Sequence, residues 1–270
     1  MKQPVFYKIL LEIAKENGFK VRRVIDNVFE LKKGNKKVYI RGKNFGINSS
    51  VAGKLAANKG QTYMILKQNE IPAVPHFGLY HPETYAEFGD QKKRNKRRID
   101  AILKREKWPL VIKPAEGSSG KGVELVSRKR DLKNAMNELF IREDEVVLSP
   151  FRVIEHEYRV VVFNGKVELI FDKKRNDKDE FRHNLCFGAK TEIVSQEDKV
   201  YKKLSNLAKR TAKILGLEFA SVDIIETEEF GLEILEVNSI VSLSYFGSES
   251  PEKYKIAKEI YKKAFKKAIK

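Results

Sequence analysis

The stretch VIKPAEGSSGKGVELV, residues 111–126, holds the residue types best suited to bind phosphate. Gly117, Gly120 and Gly122 are interspersed there with two serines and a lysine, so backbone N–H groups can converge on an anion without obstruction by Cβ atoms. The loop is not a Walker A motif, because Gly122 stands where Ser or Thr would bind magnesium and a strand, not a helix, is predicted to follow. It is either a flap that covers a nucleotide or an ordinary Gly/Ser hairpin turn.

Lys113 lies inside the apolar strand that enters this loop, between Ile112 and Pro114. An ammonium group in such a place costs free energy unless it meets an anion. The alternative is a lysine at a sheet edge whose stem is buried and whose charge reaches water.

Carboxylates gather near the C-terminal end. Asp223 lies in SVDII, and Glu236 and Asn238 lie in LEVNS. On a strand, Glu236 and Asn238 point to the same face, and Asp223 can share it if the two strands are neighbours. Two carboxylates and an amide oxygen form a site suited to magnesium. The alternative is a set of solvent-facing residues on amphipathic strands.

Basic residues lie between these two regions. Arg159 sits in a predicted strand, Arg175 ends the next strand, and Arg-His-Asn follows in a polar loop at 182–184. Such arginines can neutralise a phosphoryl group during its transfer. His183 is a weak candidate for a general base, or an exposed histidine without a role. Cys186 is interpreted as a small buried hydrophobic residue, not a nucleophile.

The elements that must position these residues follow from hydrophobic periodicity and turn signals. The pattern predicts helices over 5–17, from the Asn48-Ser49-Ser50 cap through Ala57, over 61–68, within 82–106, and over 131–140, 197–215 and 251–270. It predicts strands or hairpins over 28–40, 76–80, 108–114, 123–126, 145–151, 157–175, 219–226 and 232–238. Strands joined by hairpins and mixed with helices indicate an α+β fold.

Composition limits the class of protein. The 270 residues include 54 Lys and Arg against 37 Asp and Glu, a formal net charge of +17, and 41% hydrophobic residues, which excludes a disordered chain. The single cysteine excludes an internal disulfide or a Cys-cluster metal site. No apolar run reaches the roughly 18 residues of a membrane span, and the N-terminal stretch is predicted to be an amphipathic helix, not a signal peptide. A cytoplasmic protein that does not contact membranes is therefore expected.

The positive charge admits nucleic acid, anionic surfaces, acidic peptides or nucleotides as partners. Six of the seven residues at 92–98 are basic, which indicates a solvated surface or a docking patch for an acidic partner. A nucleic-acid-binding protein is disfavoured, because the aromatic residues lie mostly at apolar positions and no RNA-binding motif is visible.

Five segments, taken in order, resemble the ATP-grasp superfamily, and in particular its RimK-type and cyanophycin-synthetase-type carboxylate–amine ligases. They are NSSVAGKLAANKGQTYMILKQNEIPAVP, WPLVIKPAEGSSGKGVELV, EHEYRVVVFNGKV, EFRHNLCFGAK and the pair SVDII and LEILEVNS. The resemblance covers roughly residues 48–245. It implies two α+β subdomains that grip ATP, preceded by a small N-terminal α/β unit. The expected divisions are 1–47 for that unit, 48–107 for a helical linking part, 108–150 for the lid with its flap, and 151–270 for the subdomain with the magnesium site.

The resemblance also implies roles for individual residues. Phosphate contacts are implied for the lysines and the flap, and for two residues of the polar loop: Lys59, Lys113, Gly117, Ser118, Ser119, Gly120, Gly122, Arg182 and Asn184. Ser149 to Phe151 would form the adenine hinge and Glu157 would hold the ribose. Asp223, Glu236 and Asn238 would hold Mg²⁺, with Mn²⁺ as the alternative cation. Arg159 and Arg182 would act in catalysis, Arg159 by orienting a phosphate or the acyl phosphate.

The implied reaction has two steps: a carboxylate attacks the γ-phosphate of ATP, and an amine then attacks the acyl phosphate to give an amide or peptide. The expected substrate is a small molecule or peptide, and the net positive charge favours an acidic one. A kinase that stops at a phosphorylated product is the second hypothesis, and a homo-oligomer stays open. After Glu236-Val237-Asn238 the family commonly continues x-x-P-G, whereas this chain has SIVSLSYF.

Overall fold

The computed structural model describes residues 5–117, 120–174 and 190–270. Within these ranges, α-helices span α1 Val5–Glu16, α2 Ser50–Ala57, α3 Lys59–Gln68, α4 Gln91–Leu103, α5 Lys129–Phe140, α6 Tyr201–Ile214, α7 Ser244–Ser248 and α8 Pro251–Ala268. Strands span β1 Lys20–Ile25, β2 Val28–Lys33, β3 Lys36–Arg41, β4 Phe77–Tyr80, β5 Leu110–Pro114, β6 Glu124–Val126, β7 Glu145–Pro150, β8 His156–Phe163, β9 Lys166–Lys174, β10 Lys190–Ile193, β11 Phe219–Thr227 and β12 Gly231–Asn238. A 3₁₀ turn covers Ala86–Phe88.

The strands form three sheets, with the orders β1-β2-β3, β4-β7-β5-β6 and β10-β9-β8-β11-β12. Backbone contacts divide the chain into two units. Unit 1 contains residues 1–53, 158–222 and 238–270, and unit 2 contains residues 54–157 and 223–237. The division passes within β8, β11 and β12, so the largest sheet contributes strand segments to both units. The four consecutive divisions expected from the sequence stay a prediction.

Unit 2 is built on the antiparallel sheet β4-β7-β5-β6. Alternate residues of its strands, among them Leu79, Ile112 and Leu148, are fully buried in one apolar cluster. Helices α4 and α5 pack on that face through Ile102 and Leu132. Because side chains alternate along a strand, the residues between these positions point to the other face of the sheet.

Unit 1 has its own core. Helices α1 and α8 contribute Phe6, Ile9, Tyr261 and Phe265 to a cluster that also contains Leu31 of the first sheet. The Tyr261 ring lies 5.1 Å from that of Phe6, with the planes at 78°. The helix predicted over 251–270 is therefore present, and it contributes Tyr261 to this core.

Asn48 joins three segments of unit 1. Its Nδ2 donates to the carbonyl oxygens of Phe219 at 2.7 Å and Ser239 at 2.9 Å, and its Oδ1 accepts from the Glu218 and Phe219 N–H groups. Within the predicted Asn48-Ser49-Ser50 cap of α2, the capping side chain is Ser49, whose Oγ accepts from Ala52 N at 3.1 Å.

The predicted elements are present in the described residues, but three further ones were missed. The predicted hairpin 28–40 is part of a three-stranded sheet whose first strand is β1. Strand β1 (KVRRVI) was missed because it is exposed along almost its whole length, so its sequence has no alternation of apolar and polar residues. The other two are strand β10 and the five-residue helix α7. Helix α6 begins at Tyr201, later than the predicted 197.

Candidate active site

Lys113 projects from the face of the unit 2 sheet that α4 and α5 leave free. It lies directly opposite Val147 of β7, as Val111 lies opposite Ser149. Directly opposite residues in an antiparallel pair share a face, so Lys113 and Ser149 lie on the same side, away from the buried Ile112. The predicted anion-binding lysine and the start of the predicted adenine hinge therefore share one surface.

Charged side chains lie close to Lys113. Burial lowers the pKa of Lys113 to about 8, Glu236 raises it, Lys59 lowers it and Glu157 raises it. Four residues that the sequence assigns to one site are thus close enough to interact. Two ammonium groups beside two carboxylates suit a site for a metal-bound polyphosphate.

Lys59 is the first residue of α3 and is only 9% exposed. Its Nζ donates to the carbonyl oxygens of Gly117 at 3.2 Å and Ala115 at 3.5 Å. The preceding Asn58 caps the helix by accepting from Gln61 N at 3.0 Å. The ammonium group is therefore held at the base of the predicted flap.

The flap itself is described at its two ends. Gly117, Gly120 and Gly122 all have positive φ angles, of 129°, 69° and 68°. At Gly122 a Cβ atom would lie 3.1 Å from the Pro114 ring, so both the backbone conformation and the close approach require glycine.

Polar contacts hold the predicted hinge. Ser149 is buried, and Phe151 N donates to Pro109 O at 3.3 Å. The next residue, Arg152, pairs through Nε with Glu233 Oε2 at 3.0 Å, and both side chains are almost fully buried. The hinge is thereby tied to β12, the strand that carries Glu236. Glu157, the predicted ribose ligand, is buried at the start of β8.

The predicted magnesium ligands lie on neighbouring strands. Asp223 is on β11 and is 3% exposed, while the half-buried Glu236 and Asn238 are two residues apart on β12, which adjoins β11. Among the described residues no three His, Cys, Asp or Glu side chains form a metal cluster. The predicted set has only two carboxylates plus an amide oxygen, which is a donor set that suits Mg²⁺ when water and phosphate complete its coordination.

His76 is a residue that the sequence analysis did not single out. It is 3% exposed, and its Nδ1 lies 2.8 Å from Val74 O, so this nitrogen carries the proton. Burial, followed by the charge of Lys113, lowers its pKa well below the ordinary value. Its Nε2 has no partner among the described residues. The only sequence signal was a histidine at the start of an otherwise apolar strand.

A small cavity adjoins this histidine. Its wall includes Lys59, Thr62, His76 and Glu236, and it has room for about one water molecule. The chain before His76 pairs in parallel with β12, since Ile234 N donates to Pro72 O and Val74 N to Ile234 O, each at 2.9 Å. This pairing brings His76 to the strand that carries Glu236.

Several predicted site residues cannot be placed beside Lys59, Lys113 and Glu236. Arg159 lies on β8 in unit 1, opposite Phe171 of β9. Others fall outside the described residues, namely Ser118, Ser119, Arg175, Arg182, His183, Asn184 and Cys186. Their predicted roles stay predictions.

Known proteins resemble the chain in sequence and fold. A family profile, the RimK-like ATP-grasp domain, matches residues 56–263. A probable alpha-L-glutamate ligase of Syntrophotalea carbinolica is 28% identical over 222 residues, which cover 80% of this chain and 65% of that protein. A D-alanine–D-alanine ligase of Clostridium beijerinckii is 29% identical over 140 residues, 51% of this chain and 46% of that protein. The chain thus spans about half to two thirds of the length of these relatives.

Solved structures show the same fold. The structure of D-alanine–D-alanine ligase from Bacillus anthracis complexed with ATP superposes with a TM-score of 0.61 at 19% identity. The match covers 82% of this chain and 67% of that one. The α+β architecture expected from the sequence is confirmed.

Proposed function

Because the chain belongs to the RimK-like ATP-grasp family, we propose that it is an ATP-dependent ligase that joins a carboxylate to an amine. In this reaction the carboxylate takes the γ-phosphoryl group of ATP, and ADP leaves. The amine then displaces phosphate from the acyl phosphate, which gives an amide or peptide bond. ATP is consumed as a substrate, and Mg²⁺ is the expected metal, with Mn²⁺ as an alternative.

The placement of Lys113 is the observation that carries this proposal. A half-buried ammonium beside Lys59 is unfavourable in the free protein, as its lowered pKa indicates. A triphosphate would supply the missing negative charge. Lys59, held at the flap base, would bind the same phosphates, and Arg159 and Arg182 would act on the transferring group.

Asp223, Glu236 and Asn238 would hold the magnesium ion, which neutralises phosphate charge when bound. The ligand types fit: all three provide oxygen atoms, and Asp223 is a carboxylate buried among apolar strand residues. Burial keeps competing water away from that carboxylate and fixes its orientation. The charge of Glu236 also interacts with that of Lys113. In this proposal β12 therefore contributes to binding both the metal ion and the phosphates.

The substrate is proposed to be an amino acid or peptide, with an acidic one favoured by the net charge of +17. This agrees with the glutamate and D-alanine ligases among its relatives. Binding of nucleic acid or a membrane is not part of the proposal. The described residues include no helix long and apolar enough to cross a membrane.

The test is phosphate release from MgATP, with pooled amino acids and small acidic peptides added or withheld. Release that depends on added substrate, together with a new amide product, supports the ligase. ADP formation with a phosphorylated product and no amide would instead establish the kinase alternative. Absence of ATP binding would refute both.

Glu236→Gln should abolish substrate-dependent release while the fold is retained, because it removes a metal ligand without changing the size of the side chain. Glu228→Gln is the matched control: it makes the same change at an exposed turn before β12 and should leave the rate unchanged. Full activity of Glu236→Gln would refute the assignment of the metal site.

A further inference from the structure

His76 is a buried titratable residue to which the proposed chemistry gives no role. Its Nδ1 donates to Val74 O at 2.8 Å, so its Nε2 must act as an acceptor. Val74 is itself held in place, because its N–H donates to Ile234 O at 2.9 Å. The imidazole therefore has a set orientation, and within the part of the chain that the structure describes its Nε2 is buried without a donor.

His76 differs in this respect from the buried hydroxyls of Ser205 and Thr211. These two also lack partners among the described residues, but both lie in α6, where a hydroxyl can rotate toward the carbonyl group four residues earlier. An imidazole ring that is held at Nδ1 cannot turn its other nitrogen to a new partner. A donor must therefore come to Nε2, because a buried acceptor without one costs free energy.

The small cavity beside His76 is a place from which a donor can reach Nε2. Its wall includes His76, Lys59 and Glu236, which all belong to unit 2, and it has room for about one water molecule. The wall thus contains an acceptor nitrogen, an ammonium group and a carboxylate. A water molecule is held in a protein interior by two to four polar partners, and these three side chains supply that number.

Lys59 can donate to such a water molecule. Its ammonium group has three N–H bonds, and two of them point to Gly117 O at 3.2 Å and Ala115 O at 3.5 Å. The third is available for the water, whose own two hydrogens match His76 Nε2 and the Glu236 carboxylate. The bond to Ala115 O is the longer of the two and can yield to a phosphate oxygen, so the water does not remove Lys59 from the nucleotide.

We propose that one water molecule, bound in this cavity, accepts from Lys59 Nζ and donates to His76 Nε2 and to the Glu236 carboxylate. His76 is then a positioning residue. Together with Gly117 O it fixes the direction of the Lys59 ammonium, and through the same water it links that ammonium to a proposed metal ligand. The effect on nucleotide binding rests on the proposed ligase function, whereas the water site does not depend on it.

A high-resolution crystal structure of the nucleotide-free protein tests the water site directly. An ordered water should lie about 2.7–3.2 Å from His76 Nε2 and from Lys59 Nζ. His76→Phe removes the acceptor and keeps a ring, whereas His76→Gln supplies an amide oxygen in place of Nε2. We expect the water in wild type and in His76→Gln but not in His76→Phe. A wild-type cavity without this water, or a protein group bonded directly to Nε2, overturns the proposal.

Calorimetric titration with ATP in EDTA measures the positioning of Lys59 without a contribution from the metal. His76→Phe should raise the Kd roughly fivefold to tenfold, because a hydrogen bond that orients a charged group is lost. His76→Gln should stay within about threefold of wild type, since it restores the acceptor. His81→Phe is the matched control: it makes the same change at a partly exposed histidine of unit 2 and should leave the Kd unchanged. The melting temperature of each variant without nucleotide confirms that it is folded.

A double-mutant cycle separates positioning from a purely structural role. Lys59→Met removes the ammonium on which His76 acts, so adding His76→Phe to it should change the Kd for ATP by less than about twofold. A structural loss would be the same in both backgrounds. Equal losses, or failure of His76→Gln to restore affinity, overturn the positioning role. If wild type does not bind ATP, the ligase proposal fails, and the crystal structure alone decides whether the water site exists.

Discussion

The pKa of Lys113 leads to a quantitative prediction about nucleotide binding. In the free protein, burial lowers this pKa to about 8. A bound triphosphate would favour the ammonium form and raise the pKa, so binding above pH 8 must be accompanied by uptake of a proton. The contribution of Lys113 to ATP affinity is therefore full about one pH unit below its pKa, where it is charged, and is lost as the pH rises through 8.

The size of the effect follows from the charged fraction of Lys113. With a pKa of about 8, roughly three quarters of the molecules carry the ammonium at pH 7.5 and about a tenth at pH 9. If only the charged form binds tightly, the apparent Kd rises about eightfold over this interval. The terminal phosphate of the nucleotide, with a pKa of about 6, is already ionised in this range.

Calorimetric titration with ATP at pH 7.5 and 9, in EDTA and at constant ionic strength, measures the change. Lys113→Arg is the matched control, since a guanidinium stays charged throughout and its Kd should change less than about twofold. An unchanged Kd in wild type would refute the reasoning. An equal rise in Lys113→Arg would assign the pH effect to another group.

Three further predictions concern stability and protonation. Tyr261→Phe should lower the free energy of unfolding by about 1–3 kcal/mol in urea melts, because two buried backbone groups lose their partner; a change within about 0.5 kcal/mol would contradict this. Gly122→Ala should lower the free energy of unfolding by about 1–2 kcal/mol because of the positive φ at this position. The loss should exceed that of Gly34→Ala, which also has a positive φ but has no atom near the added Cβ. Equal losses would mean that the Pro114 ring moves aside. The His76 imidazole should stay neutral and protonated at Nδ1 from pH 8 to 5 in nitrogen-15 NMR spectra, whereas a midpoint near 6.5 would show that it is accessible to solvent.

The sequence predicted the strands that bury apolar residues, whether alternately as in β5 or in a continuous run as in β11. The β5 strand is an example: its buried and half-buried residues alternate, and the misplaced charge of Lys113 in that pattern pointed to the site. Strand β1 was missed because it buries almost none of its side chains, so its sequence shows no pattern of apolar residues.

Other features depend on tertiary pairing and could not be predicted from local pattern. His76 reaches the site because residues 72–74 pair with β12, which lies far along the chain. Lys43 bonds Ser242 although 199 residues separate them, and a tyrosine of α8 holds the backbone beside Ser242. Neither pairing leaves a local signature in spacing or composition.

The discontinuity of unit 1 has a consequence for synthesis on the ribosome. Helix α1 buries Phe6, Ile9 and Ile13 in a core that α8 completes, so the first helix emerges long before its partner. At about 5–20 residues per second, the part of the apolar face of α1 that α8 covers stays exposed for tens of seconds. During that interval the nascent chain exposes the kind of surface that chaperones bind and that promotes aggregation. Part of β12, which belongs to unit 2, is also synthesised late. The sheet of strands β4 to β7 and its apolar cluster, however, lie within one continuous segment of the chain and can form earlier. We therefore expect the sheet that carries Lys113 to form before α8 completes the core of unit 1.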